Sequence, residues 1–171
     1  MQKFFIIITI LFLASSCHRN TISKTNLSGK KLKLTSTCPK IGECTLVLIK
    51  NKSLDTLYFN NALIYKIVEN STTDVVKYEY TKNMEQSEYD GGYREEIVFE
   101  IPHGDFEKKL TDNELLSTKM LFGRHCFCRG QNGLFKVVKG QFIISSRAKQ
   151  LHFDLNFKIN EVPQVSNTIS H

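Results

Sequence analysis

The clearest pattern in the chain lies near its C-terminal end. Leu151, Phe153, Leu155, Phe157 and Ile159 are apolar, and His152, Asp154, Asn156 and Lys158 between them are polar. Successive side chains of a strand point to opposite faces, so a period of two sets one group on a core and the other in water. Leu134 to Ile144 is rich in Phe, Val and Ile, and the polar stretch Ser145 to Gln150 separates it from the alternating run. Together they predict a long antiparallel hairpin. Shorter runs over Cys44 to Ile49, Leu63 to Val68, Val75 to Tyr80 and Tyr93 to Ile101 read as further strands. Polar Asn70 to Asp74 would turn the second of these into the third. Asp90-Gly91-Gly92 marks another turn, and Pro102 stops the last strand. Thr111-Asp112-Asn113-Glu114 fits a capping box, and Leu115, Leu116, Lys119 and Met120 follow at helical spacing. This predicts a short helix over 112–121, ended by Gly123. Many short strands with one small helix suggest an antiparallel β-sandwich or barrel. Phe106 to Lys109 carries little signal, and the polar tail 164–171 reads as frayed.

The opening of the chain follows a different logic. Met1-Gln2-Lys3 carries one positive charge, and an unbroken apolar run extends from Phe4 to Leu13. Such a run has the length of a signal-peptide core and about half the length a membrane-spanning helix requires. The small residues Ala14-Ser15-Ser16 then precede Cys17. Ala14-Ser15-Ser16-Cys17 resembles the lipobox of bacterial lipoproteins, although many lipoboxes hold Leu where this chain has Ala14. The resemblance implies diacylglycerol on the Cys17 thiol, cleavage before Cys17 and acylation (typically palmitate) of the new amino terminus. Residues 1–16 are then a signal peptide, and the Ser/Thr/Asn/Lys-rich segment 17–31 is a flexible tether. Residues 32–163 form a single β-rich domain, in keeping with the usual domain size. The expected location is the cell envelope, with the domain facing the periplasm or the cell exterior and the membrane as its partner through the lipid.

Charge adds little. The chain carries a formal net charge of +6, and the signal removes only Lys3 from that total. The lysines are scattered rather than clustered, which fits a solvated basic surface. Export argues against nucleic acid. There is no tryptophan, so any stacking platform would have to use Tyr or Phe.

The remaining four cysteines are the sharpest chemistry. Cys38 and Cys44 form one close pair, and Cys126 and Cys128 another. An even count in an exported chain points to two disulfides, with three possible connectivities. Local pairing of Cys38 with Cys44 is easy through Pro39 and Gly42. Local pairing of Cys126 with Cys128 on a straight strand would span roughly 6.5 Å between Cα atoms, the outer edge of disulfide reach. A tight bend would close it, and a strained bridge there would be prone to thiol exchange. Crossed pairing between the two segments is the other solution. An alternative use is metal handling: Met120, His125, Cys126 and Cys128 offer thioether, imidazole and thiolate donors suited to copper or zinc, with Cys38 and Cys44 available to complete a site.

No enzyme motif is present: there is no G-x-S-x-G, no H-E-x-x-H, no phosphate loop and no Rossmann glycine pattern. The chain is therefore expected not to be an enzyme. Adjacent Glu95 and Glu96 would face opposite sides of a strand and cannot pair. Asp90-Gly91-Gly92 lacks the alternating ligands of a calcium loop. Arg124 and Arg129 bracket the cysteine pair and fit a polar loop at a sheet edge. His103 shows no evident partner, and His152 faces water.

The Ser-Ser-Cys signal, Cys38-Pro39 to Cys44, Asp90-Gly91-Gly92-Tyr93, Gly123 to Gly130 and the alternating strand together resemble uncharacterised small lipoproteins of the Bacteroidota. The resemblance implies a β-rich envelope domain and supplies no functional residues. The expected function is a lipid-anchored binding or structural domain, stabilised by two disulfides, that meets an envelope partner or ligand.

Overall fold

A computed structural model describes residues 29–83 and 92–171. The signal, Cys17, most of the tether and Asp90-Gly91 lie outside the described residues.

Twelve strands are described: β1 (Lys30–Lys31), β2 (Gly42–Ile49), β3 (Lys52–Phe59), β4 (Ala62–Glu69), β5 (Thr73–Lys82), β6 (Arg94–Pro102), β7 (Phe106–Thr111), β8 (Leu121–His125), β9 (Gly133–Lys136), β10 (Gly140–Arg147), β11 (Gln150–Phe157) and β12 (Thr168–Ser170). A six-stranded sheet has the order β1-β2-β5-β6-β8-β9, and a four-stranded sheet the order β12-β11-β10-β7. The remaining pair, β3-β4, is a separate hairpin. Every pairing is antiparallel, and neither sheet closes into a barrel, so the expected β-sandwich is the architecture.

The main core lies between the two sheets. Leu46, Val76, Tyr78, Ile97, Phe99 and Phe122 of the six-stranded sheet meet Phe142, Ile144, Phe153, Leu155 and Phe157 of the other. Phe99, Phe142 and Phe153 pack edge to face at 5.0–5.9 Å between ring centroids, the geometry that sets a positive ring edge on a negative ring face. On the other face of the large sheet, Ile49, Val75, Val98 and Leu121 form a second cluster with Leu54, Leu63, Tyr65 and Ile67 of the β3-β4 hairpin. The large sheet is thus covered on both sides, which explains why β6 is buried at five successive positions, Glu95 to Phe99, rather than at alternate ones.

Several expectations change. β4 does not pair with β5 across Asn70 to Asp74: β4 pairs with β3, and β5 lies between β2 and β6. The Asn60-Asn61 turn, with both residues at positive φ, closes the β3-β4 hairpin, and asparagine tolerates that conformation better than most residues. The Leu134 to Ile144 run is split. Its first part is β9, beside β8, and its second is β10 in the opposite sheet. The expected β10-β11 hairpin forms, but its strands run through Ser145 to Arg147 to a tight turn at Ala148-Lys149. The helix is a 3₁₀ segment, Asp112–Thr118, with the Thr111–Glu114 capping box in place. It ends at Lys119, in the left-handed region, and Gly123 lies inside β8. The i, i+4 spacing runs past the true end because Met120, just before β8, and Leu121, its first residue, are buried for sheet packing rather than on a helix face.

Two boundaries also move. Lys30 and Lys31, assigned to the tether, pair with Leu48 and Val47. The tail is not frayed: Thr168 to Ser170 pair with Asn156 to Asp154, and Ile169 is buried. Glu95 holds it. The buried carboxylate accepts hydrogen bonds from the Val165 and Ser166 amides at 2.6 and 2.7 Å and from the Tyr93 hydroxyl at 2.5 Å. Polar side chains here concealed a segment whose backbone is bound internally.

Candidate functional site

Strand direction gathers the candidate chemistry at one end of the large sheet. Gly42 begins β2 opposite Lys82, which ends β5; Thr81 faces Arg94 at the start of β6; Arg94 faces His125 at the end of β8. Cys38 to Cys44 and Cys126 to Cys128 therefore flank the same end. The chain enters at the other end, where Gly29 lies against Leu48 and Ile49.

The two cysteine pairs stand at disulfide distance in the local connectivity. Cα separations are 5.8 Å for Cys38 and Cys44 and 5.2 Å for Cys126 and Cys128. The second is shorter than a straight strand permits because β8 ends at His125 and the chain bends through Cys126 and Phe127. The crossed connectivity is not adopted. The surroundings of the pairs differ. Cys38 and Cys44 pack against the main core, and Cys44 Sγ lies 3.2 Å from the Tyr78 hydroxyl. Cys126 and Cys128 sit on an open surface around Phe127, which is 86% exposed. With Gly92, His125, Arg129 and Asn132 they line a shallow depression of about 640 Å³.

The proposed metal donors do not converge. Met120 is fully buried in the main core beside Phe122, on one face of the sheet. His125 points to the other face, where its Nε2 lies 3.0 Å from Glu96 Oε1. Among the described residues, no three His, Cys, Asp or Glu side chains come together as a set able to hold a metal ion. The sequence spacing is misleading because Met120 packs on the core side with Phe122, whereas His125 lies three residues beyond Phe122 on β8 and so faces the opposite side.

That opposite face carries a charged network the sequence reading passed over. Glu96 Oε2 accepts from Lys77 Nζ at 3.0 Å, Arg94 Nη1 at 3.2 Å and the Tyr65 hydroxyl at 3.2 Å. Glu79 shares Lys77 and Arg94 at 3.1 and 2.8 Å. Burial alone would raise the Glu96 pKa, but the bond to His125 and the charges of Lys77 and Arg94 outweigh it and bring the carboxyl to about 2. The Tyr65 hydroxyl is pushed far above its ordinary range by burial and by Glu96. Gly123 makes room for this pair: a Cβ there would stand 2.7 Å from Glu96 Cγ and 2.9 Å from His125 Nε2. Beside the network, Thr45, Val47, Tyr65, Ile67, Lys77 and Glu79 line a groove of about 750 Å³ between β4 and the sheet. Lys77 and Glu79 are two apart on β5, and Glu79 pairs with Glu96 on β6, so the three share one face through a register that the sequence does not show.

Glu95 and Glu96 do face opposite sides of β6, as adjacency on a strand requires. His103, without an evident partner in the sequence, meets Asp74 at 2.8 Å. Arg124 is nearly buried, donating to the Gln131 carbonyl at 2.8 Å and lying over the Tyr93 ring. Arg129 is exposed and makes no salt bridge among the described residues. No described helix is long and apolar enough to cross a membrane. Against protein-family models, curated proteins and solved structures, the chain has no match.

Proposed function

We propose that this chain is a lipid-anchored domain of the cell envelope, tethered through Cys17, that serves a binding or structural role and is braced by two disulfides. The carrying observation is the cysteine inventory. Every cysteine after Cys17 has a partner at disulfide distance, leaving Cys17 as the single odd thiol, adjacent to the signal-like run. An oxidising compartment is where such pairs persist. Two or three acyl chains give stable anchoring, since each buried methylene adds about 0.8 kcal/mol. The fold suits that arrangement: the tether joins at the Gly29 end, and the two cysteine loops lie at the far end, free to meet an envelope partner or ligand.

The test is to express the full chain in a bacterial host, extract it from the membrane fraction and record its intact mass, alkylated with and without prior reduction. The expected mass is that of residues 17–171 plus diacylglycerol and an acyl chain, with no alkylation until reduction and four alkylated thiols afterwards. A chain that keeps residues 1–16, or lacks lipid, overturns the anchor. Alkylation before reduction overturns the disulfides.

A further inference from the structure

The two cysteine pairs share one end of one sheet, yet their surroundings suit different tasks. Cys38 and Cys44 are packed on the core, with Cys44 against Tyr78, whose hydroxyl also reaches Ser166 at 3.2 Å. Both are only partly buried, but they are held against the core and line no depression with Phe127 or Arg129. Cys126 and Cys128 are half-buried in a surface depression, and the residue between them is the most exposed large apolar side chain described. Cys128 is followed directly by Arg129, a cation with no carboxylate partner among the described residues. A neighbouring cation favours the thiolate, and a stabilised thiolate is the better leaving group in exchange. Cys126 is anchored at the end of β8 and lies near the Gln131 carbonyl, which offers its thiolate no such help.

We propose that Cys126-Phe127-Cys128 is a thiol–disulfide exchange site that oxidises dithiols of protein or peptide clients, with Cys38–Cys44 as the inert structural bridge. The proposal rests on the reading that both pairs are oxidised. A client thiolate attacks Cys126 Sγ, the Cys126–Cys128 bond breaks, and Cys128 leaves as a thiolate beside Arg129. The client's second thiolate then attacks the client sulfur of the mixed disulfide, closing the client disulfide and releasing Cys126. The client loses two electrons and two protons, and the protein gains them as a dithiol. A disulfide donor, such as oxidised glutathione in vitro, returns the protein to its starting state by the reverse exchange. Exposed Phe127 gives an extended, apolar client a contact between the two sulfurs.

The experiment uses the mature chain with its N-terminal lipid cysteine replaced (Cys17→Ser). The oxidised protein is titrated with dithiothreitol, each point is quenched by alkylation, and the two pairs are followed separately by peptide mass mapping alongside far-UV circular dichroism. Cys126–Cys128 is expected to be half-reduced at roughly one-tenth of the dithiothreitol needed for Cys38–Cys44 or less, with the β signal unchanged. The oxidised protein should also oxidise a reduced Cys-x-x-Cys peptide one for one, and Cys126→Ser/Cys128→Ser should abolish this. Arg129→Gln should slow the exchange several-fold while leaving the thermal midpoint in place. Reduction of both pairs together, reduction only on unfolding, or no exchange with the peptide would overturn the proposal while leaving the disulfides intact. Thiols that alkylate before any reductant is added would overturn the disulfide reading as well.

Discussion

Replacing Glu95 with Ala removes the side chain that holds the C-terminal segment to the large sheet. The carboxylate is fully buried and accepts from three donors: the Val165 amide, the Ser166 amide and the Tyr93 hydroxyl. Tyr93 in turn accepts from Arg124 Nε at 3.3 Å, which links the carboxylate to a guanidinium. Burial and the bond to Glu95 push the Tyr93 hydroxyl up to about 12, so it remains a donor throughout the accessible pH range. Removing the acceptor leaves the Ser166 N–H and the Tyr93 O–H without an acceptor, each costing about 1–3 kcal/mol. The Val165 side chain is half-exposed, so water can replace part of its loss. The sum is about 2–6 kcal/mol, a large share of the roughly 5–15 kcal/mol that holds a typical domain together. At this size it lowers Tm by on the order of 10 °C. The loss should be local first: amides of Thr168 to Ser170 should exchange with solvent faster than those of β10 and β11. Urea unfolding followed by circular dichroism gives the total, and hydrogen exchange gives its location. A cost under about 1 kcal/mol with β12 protection unchanged would refute the account of the tail.

Two further predictions concern the opposite face. Glu96 is held at about 2, below its ordinary 4.5, so the folded state favours the ionised form. Its contribution is complete above about pH 4.5 and is lost as pH falls toward 2. Because Lys77 and Arg94 are partly exposed, the size is roughly 2 kcal/mol rather than the full value of the shift. Urea midpoints measured from pH 7 to pH 2 should show this acid limb, and Glu96→Gln should flatten it; an unchanged profile would contradict the network. Gly123→Ala places a methyl group 2.7 Å from Glu96 Cγ and should cost about 1–3 kcal/mol. The His125 imidazole resonances should shift with it, and a neutral substitution would show that the pair is not held in place.

What the sequence reveals depends on how each strand is covered. β11 is legible because one face meets the core and the other meets water, so polarity alternates without a break. β6 is covered on both faces by the four-stranded sheet and the β3-β4 hairpin, and its run of apolar residues gives position but not partners. β3 escaped notice because only Ser53 and Leu54 of its residues are buried, leaving Tyr58 and Phe59 exposed. Wrong pairing of β4 with β5 followed directly from missing β3. The capping box was readable because its two hydrogen bonds are local, while the helix end was not, since Lys119 leaves the helix to reach Glu100 at 2.8 Å, Ser53 at 3.2 Å and the Leu54 carbonyl at 2.9 Å. The cysteine pairs were recognisable from spacing. Their contrasting surroundings were not, because they depend on Tyr78 and on the bend after β8. The Glu96 network spans three strands and a hairpin, and no single window of sequence contains it.

The intact mass of the membrane-extracted protein tests the anchor and the two bridges at once. The expected species is residues 17–171 carrying lipid on Cys17, inert to alkylation until reduced and gaining four alkyl groups afterwards. An unlipidated chain that retains residues 1–16, or one that alkylates at Cys38, Cys44, Cys126 or Cys128 before reduction, would contradict it.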